Sequence, residues 1–490
     1  MQLRAHIASS VGKAARWGAV TLLNRTPGNL PGVIAKRLAP HVLEDISKGS
    51  EVVAVITGTN GKTTTNNLLA DLLAKTNRPV IANREGNNLE TGAITAFLAP
   101  PEQSKYVSVR KNSAEEISKK SQIKVEESIQ KGAVSGVGLR DKNIPLATIE
   151  CDELYTRFVV PQVKPRFFVL LNLFRDQLDR FGSTERISDA IIEALEKSPQ
   201  TTFVFNADDP LCAGIAQRVP NTCIGFGVNT ALGAEEDASH ETYFCQVCGA
   251  PLSYSLTHYS HLGVYECTSC DWKRPVSGVF AHNVRLEDDG YACDITQEDR
   301  GVSASISTHV SGVYMIYNVL AVAAVGLLSG HEHIEDGAFI NLQEVMDVWR
   351  PSNGRLQRYR IEGKNILSNL AKNPTGFNQN IRIVQAEQGC VVAFYVNDAE
   401  GDGLDISWYW DVDFESLANI ENLIVYVGGS RALDLQVRLK YAGIPAQVVN
   451  NAHEVIQQTS PDSGVIYMIA NYTALPEIRS ELNQLESAEK

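Results

Sequence analysis

Residues 52–70, VVAVITGTNGKTTTNNLLA, join an apolar, β-branched run to a helix-compatible segment through a glycine-rich turn. Gly58 and Gly61 let backbone N–H groups approach phosphate oxygens, and the start of the helix adds the positive end of its dipole. Lys62 puts a point charge where the β- and γ-phosphates of a nucleotide would lie. The stretch therefore predicts a strand–loop–helix unit that binds a nucleotide, with Lys62 as a catalytic group.

The other residues of the turn refine this prediction. The hydroxyl of Thr63 or Thr64 can hold Mg²⁺ beside the phosphates. Ile56 stands where the general pattern G-x-x-x-x-G-K-[ST] has its first glycine, so the generic match is imperfect. The string GTNGKTT, which also contains Thr59 and Asn60, resembles the ATP-binding loop of the Mur ligase superfamily, which includes the folylpolyglutamate synthetases. The resemblance implies ATP and Mg²⁺ as cofactors, with every residue of the string near ATP.

The composition limits the function classes. A chain of 490 residues predicts two to four domains, and a net charge of −13 argues against a nucleic-acid partner held by bulk electrostatics. No stretch resembles a secretory signal. The longest apolar stretch, residues 313–328, is shorter than the roughly 20 residues of a membrane span and contains Asn318, so it predicts a buried helix. We expect a cytoplasmic protein.

Residues 1–48 are predicted to form an N-terminal helical segment. Residues 1–43 contain six Lys or Arg and no acidic residue, and Ile7, Val11 and Trp17 recur near helical spacing. Two interpretations stay open: a helix packed on the ATPase domain, which is favoured, and an amphipathic helix peripheral to the inner face of the membrane. This short segment cannot hold the uridine-nucleotide-binding domain that precedes the loop in typical Mur ligases.

Strands and helices alternate after the loop, and the predicted strands are residues 79–83, 146–149, 167–171 and 203–205. The alternation predicts a parallel α/β sheet and assigns residues 49–358 to a Mur-ligase-like central P-loop ATPase domain. Residues 101–145 interrupt it because they are polar, charged and poor in aromatic residues. They predict an inserted surface segment with no assigned chemistry.

Acidic residues follow one of these strands at its C-terminal end, where open α/β sheets place their ligand sites. Glu150, Asp152 and Glu153 stand there, and carboxylates can bind Mg²⁺ directly or through water. Glu150 occupies the position that resembles the metal-binding glutamate of the superfamily. We therefore predict Glu150 as a catalytic Mg²⁺ ligand.

Three further strings resemble nucleotide-contacting elements of Mur ligases. The string NADDPL places Asn206 and Asp209 as acceptors for adenine and ribose hydroxyls. The helix at residues 312–324 retains Asn318, although Met315 stands where the first asparagine is usual. The string GRLQR at residues 354–358 places Arg355 near the nucleotide phosphates and leads into the C-terminal domain.

The string NLFRDQLDRFG at residues 172–182 resembles the superfamily motif N-x-x-x-D-H-L-D-R. Gln177 replaces the histidine that usually binds a second metal. Ile191 stands where many Mur ligases carry a carbamylated lysine. Both departures put a second, lysine-dependent Mg²⁺ in doubt.

Four of the nine cysteines form the pattern C-x2-C-x18-C-x2-C, with Cys245, Cys248, Cys267 and Cys270 as the thiols. Two such knuckles complete a tetrahedral Zn²⁺ site with no open position, which is typical of a structural metal. The preceding residues are acidic rather than basic, so we predict a stabilising zinc ribbon at residues 243–275 instead of a nucleic-acid module. The other cysteines are interpreted as core residues.

Residues 359–490 again alternate, with predicted strands at 365–370, 390–395, 423–427 and 465–469 and a helix at 432–441, typical of a Rossmann-like α/β domain. Two strings, NDAEGDGLDISWYWDVDFE from Asn397 and GGSRALDLQVRLKYAG from Gly428, resemble the MurT family. Its members are the ATP-using subunits of lipid II isoglutaminyl synthase, paired with a GatD-type glutaminase. Lys372 lies where amino-acid-adding Mur ligases have a histidine.

The MurT resemblance implies an amide ligase of peptidoglycan biosynthesis. ATP would phosphorylate the α-carboxylate of D-glutamate in the lipid II stem peptide, and ammonia from the glutaminase would displace phosphate to give D-isoglutamine. Within the acidic group Asp398, Asp402, Asp405 and Asp411, the resemblance implies that one residue orients the glutaminase's catalytic histidine, and Asp405 is the prediction.

Two rival functions are weighed against this one. The first is an ordinary Mur-type or folylpolyglutamate-type ligase that adds an amino acid through the same acyl phosphate. The second is a zinc-ribbon scaffold or nucleic-acid-binding NTPase, which the acidic charge disfavours. An added amino acid or salt-dependent binding to single-stranded nucleic acid would distinguish them.

Overall fold

The computed structural model describes residues 3–22, 26–102, 143–174, 184–232, 244–287, 290–309, 312–350, 355–386, 391–399, 402, 405, 407–461 and 463–489. Most of the predicted insertion at 101–145 lies outside these residues. So do Gln177 and the rest of its motif after Phe174.

The α-helices of the described part are Leu3–Trp17 (α1), Leu30–Leu38 (α2), Val42–Ser47 (α3), Lys62–Ala74 (α4), Glu90–Leu98 (α5), Thr156–Val163 (α6), Thr184–Glu196 (α7), Pro210–Ala216 (α8), Val313–Ser329 (α9), Leu342–Val348 (α10), Pro374–Ala386 (α11), Ala432–Tyr441 (α12), Ala452–Gln458 (α13) and Leu475–Glu489 (α14). A π-helical turn, Gly18–Leu22, extends α1, and short 3₁₀ turns include Glu153–Tyr155 and Ser407–Asp411.

The strands of the described part are Glu51–Thr57 (β1), Val80–Ala82 (β2), Leu146–Glu150 (β3), Phe167–Leu170 (β4), Thr202–Asn206 (β5), Cys223–Val228 (β6), Leu252–Tyr259 (β7), Leu262–Cys267 (β8), Val279–Glu287 (β9), Gly290–Gln297 (β10), Val302–Thr308 (β11), Ile334–Glu335 (β12), Ala338–Phe339 (β13), Gln357–Ile361 (β14), Lys364–Leu370 (β15), Val391–Tyr395 (β16), Ile424–Gly428 (β17), Ala446–Val448 (β18) and Val465–Ala470 (β19).

The larger sheet has the order β12-β13-β11-β10-β9-β6-β5-β4-β1-β3-β2 within the described residues. The predicted parallel sheet is confirmed, since β1 pairs in parallel with β3 and β4 and the strands from β2 to β6 follow the same sense. The register sets Ile56 opposite Glu150, which brings the end of β3 beside the loop after β1. The antiparallel strands β9, β10 and β11 extend the sheet at its other side.

Helix α9 lies in the core and packs against α4, the helix that follows the loop. Nearly every residue from Val313 to Leu327 is buried, as the apolar sequence predicts. No helix in the described ranges is long and apolar enough to cross a membrane.

Strands β7 and β8 form a separate antiparallel hairpin. Its tip is buried in the larger domain, where His258, Ser260 and His261 are completely inaccessible to solvent. The base of the hairpin carries the cysteine pairs. A segment that looks in sequence like an appended ribbon is therefore partly built into the core.

The second sheet has the order β14-β15-β19-β16-β17-β18, as far as the described residues go. Its strands are parallel except for the β14–β15 hairpin at one edge. Helix α12 covers the residues predicted for it, 432–441. The domain limits 48/49 and 358/359 stay predictions.

Candidate nucleotide-binding site

The loop between β1 and α4 depends on its two glycines. Gly58 and Gly61 have φ angles of +134° and +87°, a region that side chains rarely adopt. A Cβ atom on Gly61 would lie 2.3 Å from Asn318 Oδ1, and one on Gly58 would lie 3.0 Å from the backbone N of Asn172. Any larger residue would displace the loop from the two elements that support it.

The segment after β4 fixes the loop through hydrogen bonds. The Asn172 carboxamide accepts from the Asn60 N–H at 2.8 Å and donates to the Asn60 carbonyl at 3.1 Å. The Thr59 hydroxyl accepts from the Phe174 N–H at 2.9 Å. Thr59 and Asn60 are therefore held in place before any nucleotide binds, so little ordering is required of the loop on binding.

Lys62 is buried, with its ammonium inside the loop. Nζ donates to the Gly58 carbonyl at 2.5 Å and forms an ion pair with Glu153 at 2.7 Å. Burial alone would lower the pKa of Lys62, but the carboxylates of Glu153, Asp152 and Glu150 outweigh it and the pKa is raised. The side chain is a fixed positive charge at every physiological pH.

Glu150 provides a candidate metal ligand beside this lysine. The side chain is 2% exposed, and Oε2 has no hydrogen-bond partner among the described residues. Burial raises the pKa of Glu150, although Lys62 and Arg355 oppose that shift. A buried carboxylate oxygen without a donor is costly unless a cation meets it, so the position fits Mg²⁺.

Arg355 and Thr63 complete this corner of the site. Arg355 Nη2 donates to Thr63 Oγ1 at 3.2 Å, and both groups face Glu150. Of the two predicted threonines, Thr63 is thus the one brought to the carboxylate, whereas Thr64 is half-buried and further along the helix. The structure places Lys62, Thr63, Glu150 and Arg355 in one cluster.

Asn206, Asp209 and Asn318 lie behind the loop with their polar atoms bonded inside the protein. Asn206 Nδ2 donates to the Leu171 carbonyl at 3.0 Å, and Asn318 Oδ1 accepts from Thr65 at 3.3 Å. Asn206 and Asp209 are completely buried. In this arrangement they support the loop, and their contact with a nucleotide stays a prediction.

Asp209 connects three elements. One carboxylate oxygen caps α8 by accepting from the Leu211 N–H at 2.8 Å, and the other accepts from the Leu173 N–H at 2.8 Å. His261, at the tip of the β7–β8 hairpin, lies 3.2 Å from the same carboxylate. Burial would raise the pKa of Asp209, but His261 and the N–H donors outweigh it and the pKa is lowered.

The neighbouring Asp208 is the centre of a second buried network. It forms an ion pair with Arg274 at 2.5 Å and accepts from the Tyr317 hydroxyl at 2.7 Å and the Val228 N–H at 2.8 Å. Arg274 follows the second cysteine pair, and Tyr317 belongs to α9. Sequence reasoning missed Arg274, His258, His261 and the role of Glu153, because no local pattern links them to the loop.

The cysteine pairs converge at the base of the hairpin. The sulfurs of Cys245 and Cys270 are 3.6 Å apart, those of Cys248 and Cys267 are 3.4 Å apart, and all four lie within 4.8 Å of one another. Tetrahedral Zn²⁺ with Zn–S bonds near 2.3 Å needs sulfurs about 3.8 Å apart. The four thiols therefore fit zinc.

The C-terminal sheet reaches the loop through the segment between β15 and α11. Asn373 Nδ2 donates to Asn60 Oδ1 at 3.4 Å, and Lys372 lies close enough to lower the pKa of Asp152, which burial raises to about 6. The altered string around Lys372 therefore faces the nucleotide loop. A substrate held between the two sheets would contact both the nucleotide loop and the string around Lys372.

The acidic residues of the C-terminal sheet are not equivalent. Asp402 is buried and accepts from the Thr473 N–H at 2.9 Å, and Asp398 accepts from the Ser430 hydroxyl at 2.8 Å. Asp405 and Asp411 are exposed, and Asp405 Oδ1 accepts from the Ser407 N–H at 2.8 Å.

Family models match both parts of the chain: the Mur ligase middle domain matches residues 56–248, and the MurT ligase C-terminal domain matches residues 370–475. The MurT subunit of the glutamine-hydrolysing lipid II isoglutaminyl synthase of Streptococcus pneumoniae is 30% identical over 92% of each chain. The chain belongs to the MurT family. The MurT subunit from Staphylococcus aureus strain N315 is 29% identical over 98% of this chain and 97% of its own.

Solved structures agree on the fold of this MurT family member. A pseudomurein peptide ligase type C from Methanothermus fervidus aligns with a TM-score of 0.62 at 18% identity, over 90% of this chain and 80% of its own. At that identity the likeness establishes the Mur ligase fold alone. Family membership makes the chain an ATP-dependent ligase, and the relatives that show the family are named as subunits of lipid II isoglutaminyl synthase.

Proposed function

We propose that this chain is the synthetase subunit that amidates the α-carboxylate of D-glutamate in the lipid II stem peptide. The observation that carries the proposal is the cluster of Lys62, Thr63, Glu150 and Arg355 in a chain that matches MurT subunits over nearly its whole length. The cluster supports phosphoryl transfer, and the family relationship supports the substrate.

The first step is transfer of the γ-phosphoryl group of ATP to a carboxylate oxygen, which releases ADP and leaves an acyl phosphate. Catalysis of this step depends mainly on positioning the phosphate and the carboxylate and on neutralising their charge, and little on covalent catalysis by the protein. Lys62 and Arg355 provide fixed positive charges for the phosphates, and the loop N–H groups provide further donors. Mg²⁺, held by Thr63 and Glu150, would neutralise charge that develops on the phosphate oxygens.

The second step is attack of ammonia on the acyl carbon. The new C–N bond replaces the C–O bond to phosphate, inorganic phosphate leaves, and the nitrogen loses a proton. Ammonia needs no amino-acid pocket, which is consistent with Lys372 and Asn373 standing where amino-acid-adding ligases carry a different string.

We infer that a GatD-type glutaminase supplies the ammonia and docks on the C-terminal sheet. Leu433, Val437 and Tyr441 lie one turn apart on α12 and are 68%, 49% and 75% exposed. Trp410 is 55% exposed and packs its ring 5.4 Å from Tyr441. An exposed apolar and aromatic face of this kind is typical of a protein interface, and it lies a few residues from Asp405.

Asp405 is proposed to reach across that interface and orient the glutaminase's catalytic histidine. Its exposure supports this role, since Asp402 is buried where a partner subunit could not reach it. A structural zinc ion at the four cysteines is proposed to hold the base of the β7–β8 hairpin.

The test is mass spectrometry of lipid II after incubation with the purified chain, ATP, Mg²⁺ and ammonium, repeated with glutamine and a GatD-type partner. We expect one carboxylate to become an amide while ADP and phosphate form. A mass gain from an amino acid supplied in a mixture, with no amidation, would instead establish the alternative Mur-type or folylpolyglutamate-type ligase.

A further inference from the structure

Helix α1 has its small residues inside and its large apolar residues outside. Ala5, Ala8, Ser9 and Gly12 are buried against neighbouring helices. A Cβ atom on Gly12 would lie 2.6 Å from a Leu98 side-chain carbon, so the helices approach closely. The face that a globular protein normally buries is therefore turned to solvent.

The outward face carries an apolar stripe, with the exposed Ser10 as a polar residue inside it. Leu3, Ile7 and Trp17 are 76%, 50% and 58% exposed, and Val11 is 40% exposed. At about 100° per residue these side chains fall within an arc of roughly 120° on the helix. Leu22 continues the stripe through the π-helical turn and is 71% exposed. Exposing this much apolar side chain on one helix is costly unless something covers it.

The Lys and Arg residues beside the stripe have no acidic residue among them. Arg4 stands at one side of it and Lys13 at the other, and the half-buried Arg16 lies one turn of the helix after Lys13. Neither Lys13 nor Arg16 forms an ion pair within the described part of the chain. No acidic residue precedes Glu44, although the whole chain carries a net charge of −13. The positive charge is thus concentrated where the apolar stripe lies.

A cleft opens beside the same helix. It has a volume of about 500 Å³ and is lined by Trp17, Val20 and Phe97, with Lys13 and Arg16 among the other lining residues. Apolar lining residues together with two cations suit the junction between a lipid tail and an anionic headgroup.

We propose that the outward face of α1, with Leu3, Ile7, Val11 and Trp17 as its apolar stripe, docks on the surface of an anionic lipid bilayer. Apolar side chains that enter the acyl boundary, with long cations reaching to the headgroups at their sides, are the pattern of an interfacial helix. An acidic protein partner would be attracted by the same cations, but it would need a matching apolar groove.

The biological purpose of this docking face rests on the proposed function, because a ligase that acts on a lipid-linked substrate must meet it at a membrane. The docking face itself rests on the helix alone. Binding to vesicles that contain no substrate tests the face, whereas amidation of detergent-dissolved lipid II tests the ligase. Failure of one is therefore distinguishable from failure of the other.

The experiment is co-sedimentation of the full chain with vesicles of phosphatidylcholine, with and without phosphatidylglycerol. We expect partition onto the anionic vesicles to fall about tenfold or more in Ile7→Ser/Trp17→Ser and in Lys13→Gln/Arg16→Gln, because each removes one of the two contributions. The matched control is Val276→Ser/Leu286→Ser, which removes apolar residues that are 86% and 71% exposed elsewhere. It should bind as the unaltered chain does.

Three outcomes would overturn the proposal. The first is an unaltered chain that does not prefer anionic vesicles. The second is a concentration-dependent dimer that the Ile7→Ser/Trp17→Ser variant abolishes, since a second copy would then cover the stripe. The third is loss of the glutaminase complex in that variant with vesicle binding unchanged. Thermal unfolding of each variant verifies that the fold is retained.

Discussion

His261 Nε2 lies 3.2 Å from Asp209 Oδ1, and neither side chain is accessible to solvent. His261 also packs its ring 5.1 Å from Phe174, whose N–H donates to Thr59 in the nucleotide loop. Asp209 accepts a hydrogen bond from the N–H of Leu173, the residue before Phe174. The cysteine-bearing hairpin is thereby connected, through one histidine, to the back of the nucleotide site.

Replacing His261 by alanine should destabilise the fold and weaken ATP binding. The variant removes the imidazole that lies 3.2 Å from the buried Asp209 carboxylate and leaves that carboxylate with one neighbour fewer, which should lower the free energy of unfolding by about 3 kcal/mol. Urea denaturation measures this change. The control is His453→Ala, which removes a partly exposed pair with Glu362 at 3.3 Å and should cost less than about 1 kcal/mol. Equal losses would contradict the connecting role.

Lys62→Met should abolish the phosphoryl-transfer step. The variant removes the fixed positive charge inside the loop, and we expect ATP-dependent amidation to fall at least about 100-fold. ADP release with lipid II and ammonium measures the rate. Lys75→Met, just beyond the other end of α4, removes a pair with Glu344 at 2.8 Å and should leave the rate within about twofold. A Lys62→Met chain that is folded and active would refute the site.

Removal of the metal should loosen the hairpin. Metal analysis is expected to find one zinc per chain, and Cys248→Ser should lose it together with several kcal/mol of stability, by the general worth of structural zinc. Cys223→Ser is the matched control, because Cys223 is half-buried and its thiol donates to backbone carbonyls away from the cluster. Full zinc content in Cys248→Ser would rule out the four-thiol site.

Asp405→Asn should impair amidation driven by glutamine but not amidation with free ammonium. We expect glutamine-driven amidation to fall about 100-fold or more while the reaction with free ammonium continues, because only the glutaminase's histidine loses its partner. Asp411→Asn neutralises a second exposed aspartate nearby and should keep both reactions. Loss of both reactions in Asp405→Asn, or the selective loss in Asp411→Asn instead, would show that Asp405 has been assigned wrongly.

Acid should destabilise the fold partly through His331. Burial, with Arg78 and Arg166 nearby, lowers the pKa of His331 to about 4, against about 6.5 in an unfolded chain. Between these values the unfolded chain binds a proton that the folded chain does not, so a falling pH favours unfolding across that window. Urea midpoints from pH 7 to pH 4.5 measure the slope. His331→Gln should flatten it, and an unchanged slope would exclude His331 as a cause.

The sequence by itself determined the nucleotide loop, the strands around it and the convergence of the cysteines. These features follow local rules: a glycine where φ is positive, an apolar run where a strand is buried, and a pair of thiols on a tight turn. Lys62 and Thr63 were predicted from the pattern of the glycine-rich loop, and Glu150 from its place at the C-terminal end of a parallel strand and from the resemblance to the Mur ligases.

Tertiary structure alone decided what each polar group contacts. Glu153, rather than Glu150, pairs with Lys62, and this depends on the 3₁₀ turn after β3 and not on spacing. His261 reaches Asp209 only because the β7–β8 hairpin folds inward, and α1 faces outward with its apolar stripe because its small residues allow closer helix packing. Such contacts join residues far apart in the chain, where no periodic pattern records them.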